Sequence, residues 1–564
     1  MKLTYQFLSA FVLSVCLSTA PFQDTYVIEI PKSVDLSETS DFEVRIVENG
    51  LSETQILHID MPSSFLLYES DGTRNVRGSV SNNSLSYRKD EYDTKTVGLE
   101  IGELEIGEWS GSLPISIFIE NTAASNILES GEELNSFLQN YTPSRIVFSD
   151  TVEGTYIGDV SKAKDESVKA YLHEDTIFIS NETEGKILSD ISMKDAFKGL
   201  PSLTYIDLSD LDLAECHIFS HLFEDSPNLN AIEGIGQIDT SSAEDLSYMF
   251  SGCRMLGSLP IKDWNVGNVR DFSHLFEYCE GLKTLNLVNW NTANGTCLEN
   301  MFSQCLSLTS TGDLSRWNMA QAKDISMMFY SCQKLRNTGD LSAWNTANIS
   351  DMSYLFAGCG KLNSVGQISS WDVSNTQYLT GMFYNASSLA NTGDLNNWQI
   401  SPYCKDLSYL FAGTKALLGM NADLSAWNVS SIENMSHMFE NCRLSSLYIR
   451  GWDTSSLKDA SYMFAYNETT SLSELSQIDG IESIDTSNLE TISSIFYENQ
   501  YLNADLSTWN TEHLNDISYA FYGTYRFDID KLKHWNVSSV SDMTEAFGDN
   551  AGTLIQSPIP DWYQ

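Results

Sequence analysis

The chain has 564 residues, and its 76 acidic and 32 basic side chains give a formal net charge of −44. This excess of acid argues against binding to nucleic-acid backbone, which needs clustered Lys and Arg, and it disfavours adsorption to anionic lipid. Hydrophobic residues make up 42% of the chain, enough for a continuous core, so the acidity indicates a solvated surface.

The N-terminus has the composition of a secretory signal peptide, predicted over residues 1–21. Lys2 precedes an apolar run from Phe7 to Leu17, and small residues follow. Cys16 also suggests lipidation, but Val15 is large for the position before a lipidated Cys, so simple cleavage is favoured. No later run of 18 apolar residues occurs. These features predict a secreted or cell-surface protein with no membrane span.

Residues 22–121 alternate apolar and polar side chains in short segments separated by turn signals. This pattern is typical of strands with one buried face, and the spacing predicts an Ig-like β-sandwich of about seven strands. The clearest predicted strands are Tyr26–Ile30, Phe42–Ile46, Ile56–Ile59 and Ile115–Ile119.

Residues 122–192 predict an α/β unit that caps the end of the following repeats. A helix is expected from Ser130, with Glu133 completing a capping box. Three apolar strands follow, at Arg145–Phe148, Val168–Leu172 and Thr176–Ser180. A repeat array needs such a cap because its first repeat would otherwise expose apolar core and strand edge.

Residues 193–564 repeat a pattern of about 26 residues, and each repeat is marked by one Phe. Fixed self-similarity of this kind indicates a stack of similar coils. Successive marker positions mostly lie 25 to 28 residues apart, and the fourteen are Phe197, Phe223, Phe250, Phe276, Phe302, Phe329, Phe356, Phe383, Phe411, Phe439, Phe464, Phe496, Phe521 and Phe547.

A second large apolar position lies upstream of each marker Phe and is most often Trp. It is occupied by Trp264, Trp290, Trp317, Trp344, Trp371, Trp427, Trp452, Trp509 and Trp535, with Trp398 one place further upstream. Leu211, Ile238 and Ile484 occupy it elsewhere. Asn or Asp follows each of these nine aligned Trp residues, and we expect its side chain to bond backbone groups of neighbouring coils.

The motif Asp-x-Ser-x-x-Phe also recurs, for example at Asp271–Phe276 and Asp516–Phe521. Its Asp or Ser is expected to cap a short helical turn. Segments such as Ser202–Leu208 and Ser446–Ile449 alternate as strands do. One strand and one helical turn per coil predict an α/β solenoid similar to leucine-rich repeats, with a parallel sheet on one face.

These residues resemble a known repeat family. The sequence pattern W-N-V/T-S-x-V/I-x-D/N-M-S-x-M-F-x-x-C is similar to that of BspA-like surface proteins, whose repeat is called the DUF285 or Mycoplasma lipoprotein-type repeat. Glu299, Thr380 and Thr544 depart from its Ser, and Gln399 departs from its Asn. The resemblance implies an extracellular leucine-rich-repeat protein used in adhesion or in binding host or neighbouring-cell proteins. It implies no catalytic residue.

Six of the ten cysteines lie three residues after a marker Phe: Cys253, Cys279, Cys305, Cys332, Cys359 and Cys442. Other repeats have Ala, Ser or Thr there, which favours packing of a small buried side chain over disulfides. Disulfides between stacked cysteines remain an alternative in an oxidising compartment.

Acidic residues near the start of the turn that leads to each Trp can be interpreted in two ways. A calcium ladder is one, but local turn formation is favoured because no glycine-rich calcium-binding nonapeptide is present. The residues are Asp313, Asp340, Asp394, Asp423 and Asp505. We therefore predict no metal site.

No sequence motif indicates an enzyme or a cofactor. HExxH, GxSxG, GxxxxGK and GxGxxG patterns are absent from the sequence. His221, His274 and His437 occupy equivalent repeat positions and are interpreted as solvated surface.

The candidate partner-binding residues are a periodic row of tyrosines, each two residues before a marker Phe: Tyr248, Tyr354, Tyr409, Tyr462 and Tyr519. Because such a row can also cover core, a structural role is the alternative. The leading function is recognition or adhesion, through the solenoid face, of extracellular proteins or glycans. The runner-up is a structural surface component or rigid spacer that self-assembles.

Overall fold

The structure is a computed structural model, which divides into two compact units, Met1–Asn126 and Ile127–Gln564. It describes residues 126–182, 185–390, 392–419, 421–468, 472–548 and 561–563, and the backbone of the strands that lie before residue 126. The predicted signal peptide lies outside the described residues, apart from the backbone of Phe11–Val12.

The first unit consists of antiparallel strands, and the described backbone forms three sheets. The strands are β1 (Phe11–Val12), β2 (Tyr26–Glu29), β3 (Ser40–Phe42), β4 (Arg45–Glu48), β5 (Thr54–Ile56), β6 (His58–Ile59), β7 (Phe65–Glu69), β8 (Arg74–Ser81), β9 (Ser84–Arg88), β10 (Thr96–Leu99), β11 (Leu104–Ile106), β12 (Trp109–Gly111) and β13 (Ile117–Glu120). Their orders are β1-β2-β4-β5, β13-β10-β7-β8-β9-β3 and β12-β11-β6. The predicted strand at Phe42–Ile46 is two strands, and packing of the sheets into a sandwich stays a prediction.

The predicted helix of the second unit is confirmed as α1 (Gly131–Leu138). Ser130 is its N-cap: the Ser130 hydroxyl accepts from the Glu133 N–H, and the Glu133 carboxylate accepts from the Ser130 N–H. This capping box satisfies amide groups that the first helical turn leaves unpaired. Leu134 and Leu138 are buried.

One mixed sheet joins the predicted cap to the first repeats. Its strands are β14 (Arg145–Phe148), β15 (Thr155–Asp159), β16 (Lys169–His173), β17 (Thr176–Ser180), β19 (Tyr205–Asp207) and β21 (Ala231–Glu233), in the order β15-β16-β17-β14-β19-β21. β14 pairs in parallel with both β17 and β19, so the sheet crosses from the cap into the repeats. A separate parallel pair links β18 (Ile187–Leu188) with β20 (Leu211–Asp212).

Later repeats pair in parallel, mostly through single bridges. Only β22 (Asn421–Asp423), β23 (Ser446–Tyr448) and β24 (Gln477–Asp479) form a further named sheet among the described repeats. Elsewhere one line of bridges joins Ser258, Thr284, Ser310 and Asn337, and a second passes through the residue five before each marker Phe. Short 3-10 helices occur at Ile235–Gln237, Leu341–Ala343, Ile368–Ser370, Leu395–Asn397, Ile481–Ser483, Ile529–Leu532 and Asp561–Tyr563.

The marker Phe residues form one continuous buried column, as their period predicts. Neighbouring ring centroids from Phe197 to Phe547 lie 5.3–6.1 Å apart. Aromatic pairs of this kind contribute about 0.5–1.5 kcal/mol each beyond the burial of their area. The column therefore holds each repeat to the next.

The Trp residues form a second column and satisfy their polar atom within it. Each indole N–H from Trp264 to Trp562 donates to a backbone carbonyl of the preceding repeat, at 2.7–3.3 Å. Ile484 interrupts this column and leaves a small apolar void lined by Trp452 and Trp509. A buried Trp fits here because both its large apolar ring and its donor are used.

The predicted helical turn at Asp-x-Ser-x-x-Phe is wrong. In the repeat of Phe276, the Asp271 carboxylate accepts from the Ser273 N–H at 2.9 Å, but no helix follows. The N–H groups of His274 and Phe276 instead donate to carbonyls of the next repeat, both at 2.9 Å. A single helical turn leaves such amides unpaired, whereas a stack pairs them between repeats.

The expected role of the Asn or Asp after each Trp also differs in the structure. These side chains accept from the N–H two residues on, as Asn265 does from Gly267 at 3.2 Å, and so close a turn within their own repeat. The bonds between repeats come from another Asn: the Asn294 amide donates to Gly267 O at 2.7 Å, and the Asn348 amide to Ala320 O at 2.8 Å.

Candidate functional site

The predicted tyrosine row lies at a position that has the same backbone geometry in all fourteen repeats. We call the residue two before each marker Phe the row position, and its φ lies between 51° and 63° in every repeat. A left-handed conformation costs a residue other than Gly on the order of 1 kcal/mol, so the stack imposes it. The fourteen residues are Asp195, His221, Tyr248, His274, Asn300, Met327, Tyr354, Gly381, Tyr409, His437, Tyr462, Ser494, Tyr519 and Glu545.

Rings at the row position cover each other's faces. Tyr248 lies between His221 and His274, with centroid separations of 4.7 and 4.2 Å and nearly parallel planes. His437 lies in the same way between Tyr409 and Tyr462, at 4.3 and 4.6 Å. In these two stacks of three rings, both faces of the central rings, Tyr248 and His437, are in contact with a neighbouring ring.

The two remaining row tyrosines are placed differently. Tyr354 meets Tyr330 edge-on at 6.3 Å, and its ring covers Gly381, where an added Cβ would lie 2.3 Å from the ring. Tyr519 is 36% exposed and is the most open of the five predicted residues. The structure thus brings the row into one line but does not give its members one common exposed surface.

Residues at the row position are matched in size and charge to the residue one after the marker Phe, which we call the partner position. A row Tyr goes with a small partner, as in Tyr248 with Ser251 and Tyr354 with Ala357. A small row residue goes with Tyr, as in Gly381 with Tyr384, and Asp195 goes with Lys198 at 3.3 Å. Tyr519 with Tyr522, Met327 with Tyr330 and Asn300 with Ser303 are exceptions. Such matching indicates packing of two neighbouring side chains.

The three row histidines all have Glu at the partner position, and they correct the interpretation as solvated surface. Nδ1 of His221, His274 and His437 lies 2.7 Å from the paired carboxylate in each case. Their side chains are only 25%, 14% and 20% exposed. The sequence carried this signal as a repeated His-x-x-Glu spacing.

Burial acts on the phenols of three row tyrosines. It raises the pKa of Tyr248, Tyr354 and Tyr409 above the ordinary value, and nearby carboxylates such as Glu277 add to the shift at Tyr248. A phenol with a raised pKa is a poor nucleophile and a poor base at neutral pH.

The nine described cysteines are free, and six of them donate their thiol to the repeat before their own. Sγ of Cys253, Cys279, Cys305, Cys332, Cys359 and Cys442 lies 3.0–3.1 Å from the carbonyl of a marker Phe one repeat earlier. The Ser226 hydroxyl makes the same bond at 2.8 Å. The position thus favours a small donor, and burial raises the pKa of these thiols, for example Cys442 to about 12.

The acidic turn residues act as local acceptors. The carboxylates of Asp313, Asp340 and Asp423 each accept from the N–H two residues on, at 3.0 Å. Asp394 and Asp505 do the same at 3.1 Å. This geometry confirms the turn-forming reading.

One group of described residues has the composition of a metal site: Asp195, His221 and Glu224. The Lys198 ammonium lies 2.7 Å from Glu224 and 3.3 Å from Asp195. Because this ammonium already supplies positive charge to both carboxylates, the group is an internal ion network between two repeats.

Two strongly exposed tyrosines were missed by the search for periodicity. Tyr378 is 55% exposed and stands where most repeats have Asp, five residues before the marker Phe. Tyr403 is 67% exposed, in the repeat that follows. The signal in the sequence was a departure from the repeat, since Gln399 and the shifted Trp398 lie just before Tyr403.

The line of bridges is interrupted at these tyrosines. Asp351 bridges to Tyr378 and Asp406 bridges to Asn434, but the described residues Tyr378 and Asp406 form no bridge with each other. Pairing resumes at Gly381, whose N–H donates to Ser408 O at 2.9 Å. The interruption is therefore local, and the core columns continue through it.

The charge of the neighbouring surface also differs from the rest of the chain. The residue six before the marker Phe is uncharged or basic in six consecutive repeats: Arg270, Thr296, Lys323, Ser350, Gln377 and Lys405. Glu244 and Glu433 flank this run. A strip without carboxylates is unusual in a chain of net charge −44.

Comparison with protein families identifies the repeats. Residues 191–313, 296–419, 367–477 and 468–563 each match the family described as Mycoplasma protein of unknown function, DUF285. The chain belongs to this family. The matches together span 191–563, about two-thirds of the chain, and cover all fourteen marker Phe positions. The DUF285 resemblance drawn from the sequence is therefore confirmed.

Comparison with curated proteins gives no match. Among the residues that the structure describes, no helix has both the length and the apolar character needed to cross a bilayer.

Proposed function

We propose that this DUF285 protein is a secreted or cell-surface, non-enzymatic recognition protein of the BspA-like, leucine-rich-repeat type. In this proposal the stacked repeats form a solenoid, and the solenoid binds extracellular proteins or glycans. The contact surface is centred on Tyr378 and Tyr403 and includes the adjoining strip without carboxylates.

Exposure of the two tyrosines is the observation that carries the proposal. At 55% and 67%, Tyr378 and Tyr403 are more exposed than any row tyrosine, and three of the row tyrosines stack on a histidine ring. Binding energy at interfaces concentrates in aromatic residues and Arg. Tyr378 stands where most repeats have Asp, and it adds nothing to the line of bridges that Asp would not add. Binding of a ligand would explain why this repeat has an exposed Tyr there.

The surrounding strip favours the same location. Gln377, next to Tyr378 in the chain, and Lys405, in the following repeat, are exposed and offer hydrogen-bond donors. The Lys405 ammonium also lies 3.9 Å from Glu433, where carboxylates at this position resume. Aromatic rings next to amide and ammonium donors suit a glycan or a protein loop with acidic or hydroxyl groups. The partner-binding role of the five row tyrosines stays a prediction, limited to their edges and hydroxyls.

The proposal is tested by binding of the purified chain 22–564 to arrayed extracellular-matrix proteins, mucins and glycans. Tyr378→Asp and Tyr403→Asn place the residue types that other repeats have at these positions, so both variants should fold. We expect saturable binding that the double variant weakens at least about tenfold, the loss typical of a hot-spot residue. Tyr525→Ser is the matched control, since Tyr525 is also exposed but lies elsewhere in the stack. Binding that is equal in the double variant and the control would contradict the location.

The second candidate is a stiff spacer or self-assembling surface component. The unbroken Phe column and the covered row favour it, because both stiffen the stack without offering a binding surface. Light scattering at increasing concentration separates the candidates. Growth in mass together with no hit on the array favours the spacer.

A further inference from the structure

The three His-x-x-Glu pairs stand apart from the other pairings of row and partner positions. Among the fourteen repeats, Glu occupies the partner position in three, at Glu224, Glu277 and Glu440, and these are the three whose row residue is His. Size matching alone does not require an ionisable pair. The coincidence therefore points to the charge of the imidazole.

His274 has carboxylates at both ring nitrogens. Its Nδ1 lies 2.7 Å from Glu277 and its Nε2 lies 3.2 Å from Glu299 in the next repeat. A neutral imidazole has one N–H and would point a lone pair at one of these carboxylates, whereas imidazolium donates to both. The geometry thus suits the protonated ring.

The ring that covers His274 also favours its charge. Tyr248 stacks on it at 4.2 Å with an interplanar angle of 8°, and an imidazolium over an aromatic face gains a cation–π attraction. Tyr248 in turn stacks on His221, whose Glu224 is shared with Lys198 at 2.7 Å. One protonated ring therefore connects consecutive repeats through stacking and through Glu299.

Several carboxylates surround the ring stack of His221, Tyr248 and His274. Asp271 and Glu224 act on Tyr248 along with Glu277 and Glu299. Burial of His274 opposes protonation, but Glu277 and Glu299 outweigh it and raise its pKa above the ordinary value. His437 has one paired carboxylate, Glu440, which also accepts from the Asn467 amide at 2.8 Å.

We propose that His274 with Glu277 and Glu299 forms a proton-dependent clasp, and that protonation of His274 tightens the contact between the repeats of Phe250, Phe276 and Phe302. This device is independent of the recognition function proposed above. A raised folded-state pKa means that the added stability is present at low pH and is lost as pH rises through that pKa.

The chain offers a matched variant, because Glu299 replaces the Ser of the repeat. Glu299→Ser restores the repeat pattern and removes only the second carboxylate. NMR titration of the histidine ring protons, with His274 assigned by its loss in His274→Gln, measures the effect in the full chain. We expect the His274 titration to move to lower pH by about half a unit or more in Glu299→Ser, as loss of an adjacent opposite charge requires. His513→Gln, at an exposed histidine, is the control.

Hydrogen exchange of the backbone amides over residues 245–303 measures how firmly the clasp holds these repeats together. After correction for the intrinsic rate, exchange should slow between pH 8 and pH 5.5. We expect this slowing to be smaller in Glu299→Ser than in the His513→Gln control. A His274 titration that Glu299→Ser leaves unchanged would overturn the proposal. Equal pH dependence of exchange in Glu299→Ser and in the control would overturn it as well.

Discussion

Tyrosines occur in two very different settings within the same stack of repeats. Tyr248 and Tyr409 lie at the row position, where neighbouring rings cover them, while Tyr378 and Tyr403 stand exposed where the line of bridges is interrupted. The first setting repeats and the second does not. In a repeat protein, regular positions carry the architecture, and departures from the pattern are the better guide to a binding surface.

The largest expected effect comes from breaking the regular setting at its core. Phe356→Ala removes one buried ring from the Phe column and should lower the free energy of unfolding by about 3–5 kcal/mol. Tyr403→Asn should change it by less than about 0.5 kcal/mol, as is usual for exposed positions. Urea unfolding followed by tryptophan fluorescence measures both changes. Equal unfolding midpoints for Phe356→Ala and Tyr403→Asn would contradict the difference expected between core and exposed positions.

The size matching of row and partner positions can be broken and then restored. Ala357→Tyr places a second ring beside Tyr354 and should cost about 1–3 kcal/mol through overpacking. Adding Tyr354→Ser reproduces the natural pair Ser494 and Tyr497, so the double variant should recover more than half of that loss. Simple additivity of the two changes in unfolding free energy would show that the positions do not pack as a pair.

The Trp column has a gap at Ile484 that a substitution can fill. Ile484→Trp fills the void between Trp452 and Trp509, and by the pattern of the other repeats its indole N–H should donate to Ile449 O. Cavity filling of this kind should raise the free energy of unfolding by about 0.5–2 kcal/mol. Ile484→Phe is the control, since it fills space without a donor. Loss of stability in Ile484→Trp would show that the repeat has no room for the ring.

The smallest effect concerns the cysteine position. Cys305→Val loses the thiol donor to Phe276 O and should cost about 0.5–1.5 kcal/mol, the usual net value of one hydrogen bond. Cys305→Ser keeps a donor, as Ser226 does naturally, and should be nearer to the original chain. If Val were tolerated better than Ser, apolar packing alone would explain the position.

Much of the repeat region was predictable because its period marks the buried positions directly. The Phe and Trp columns and the capped helix follow from spacing and local capping rules. The helical turn was predicted wrongly because one turn in isolation leaves amides unpaired, and the sequence of one repeat does not show that the next repeat pairs them. His274 was misread for the same reason, since one of its two carboxylates, Glu299, belongs to the following repeat.

The candidate surface was harder to predict. A periodic search selects positions that recur, and so it selected the row tyrosines and passed over Tyr378 and Tyr403. Both tyrosines lie where the line of bridges is interrupted. Trp398 and Gln399, which depart from the repeat pattern, lie nearby in the chain. The physical reason is that stacking constrains regular residues, while a ligand acts on residues that the stack leaves open.

Tyrosine nitration followed by mass spectrometry tests the central contrast most directly. A brief pulse of tetranitromethane on the native chain modifies phenols in proportion to their exposure, and the unfolded chain provides the reference rate for each site. The account predicts rapid nitration of Tyr378 and Tyr403 and slow nitration of Tyr248, Tyr354 and Tyr409. Equal relative rates in the two groups would contradict it.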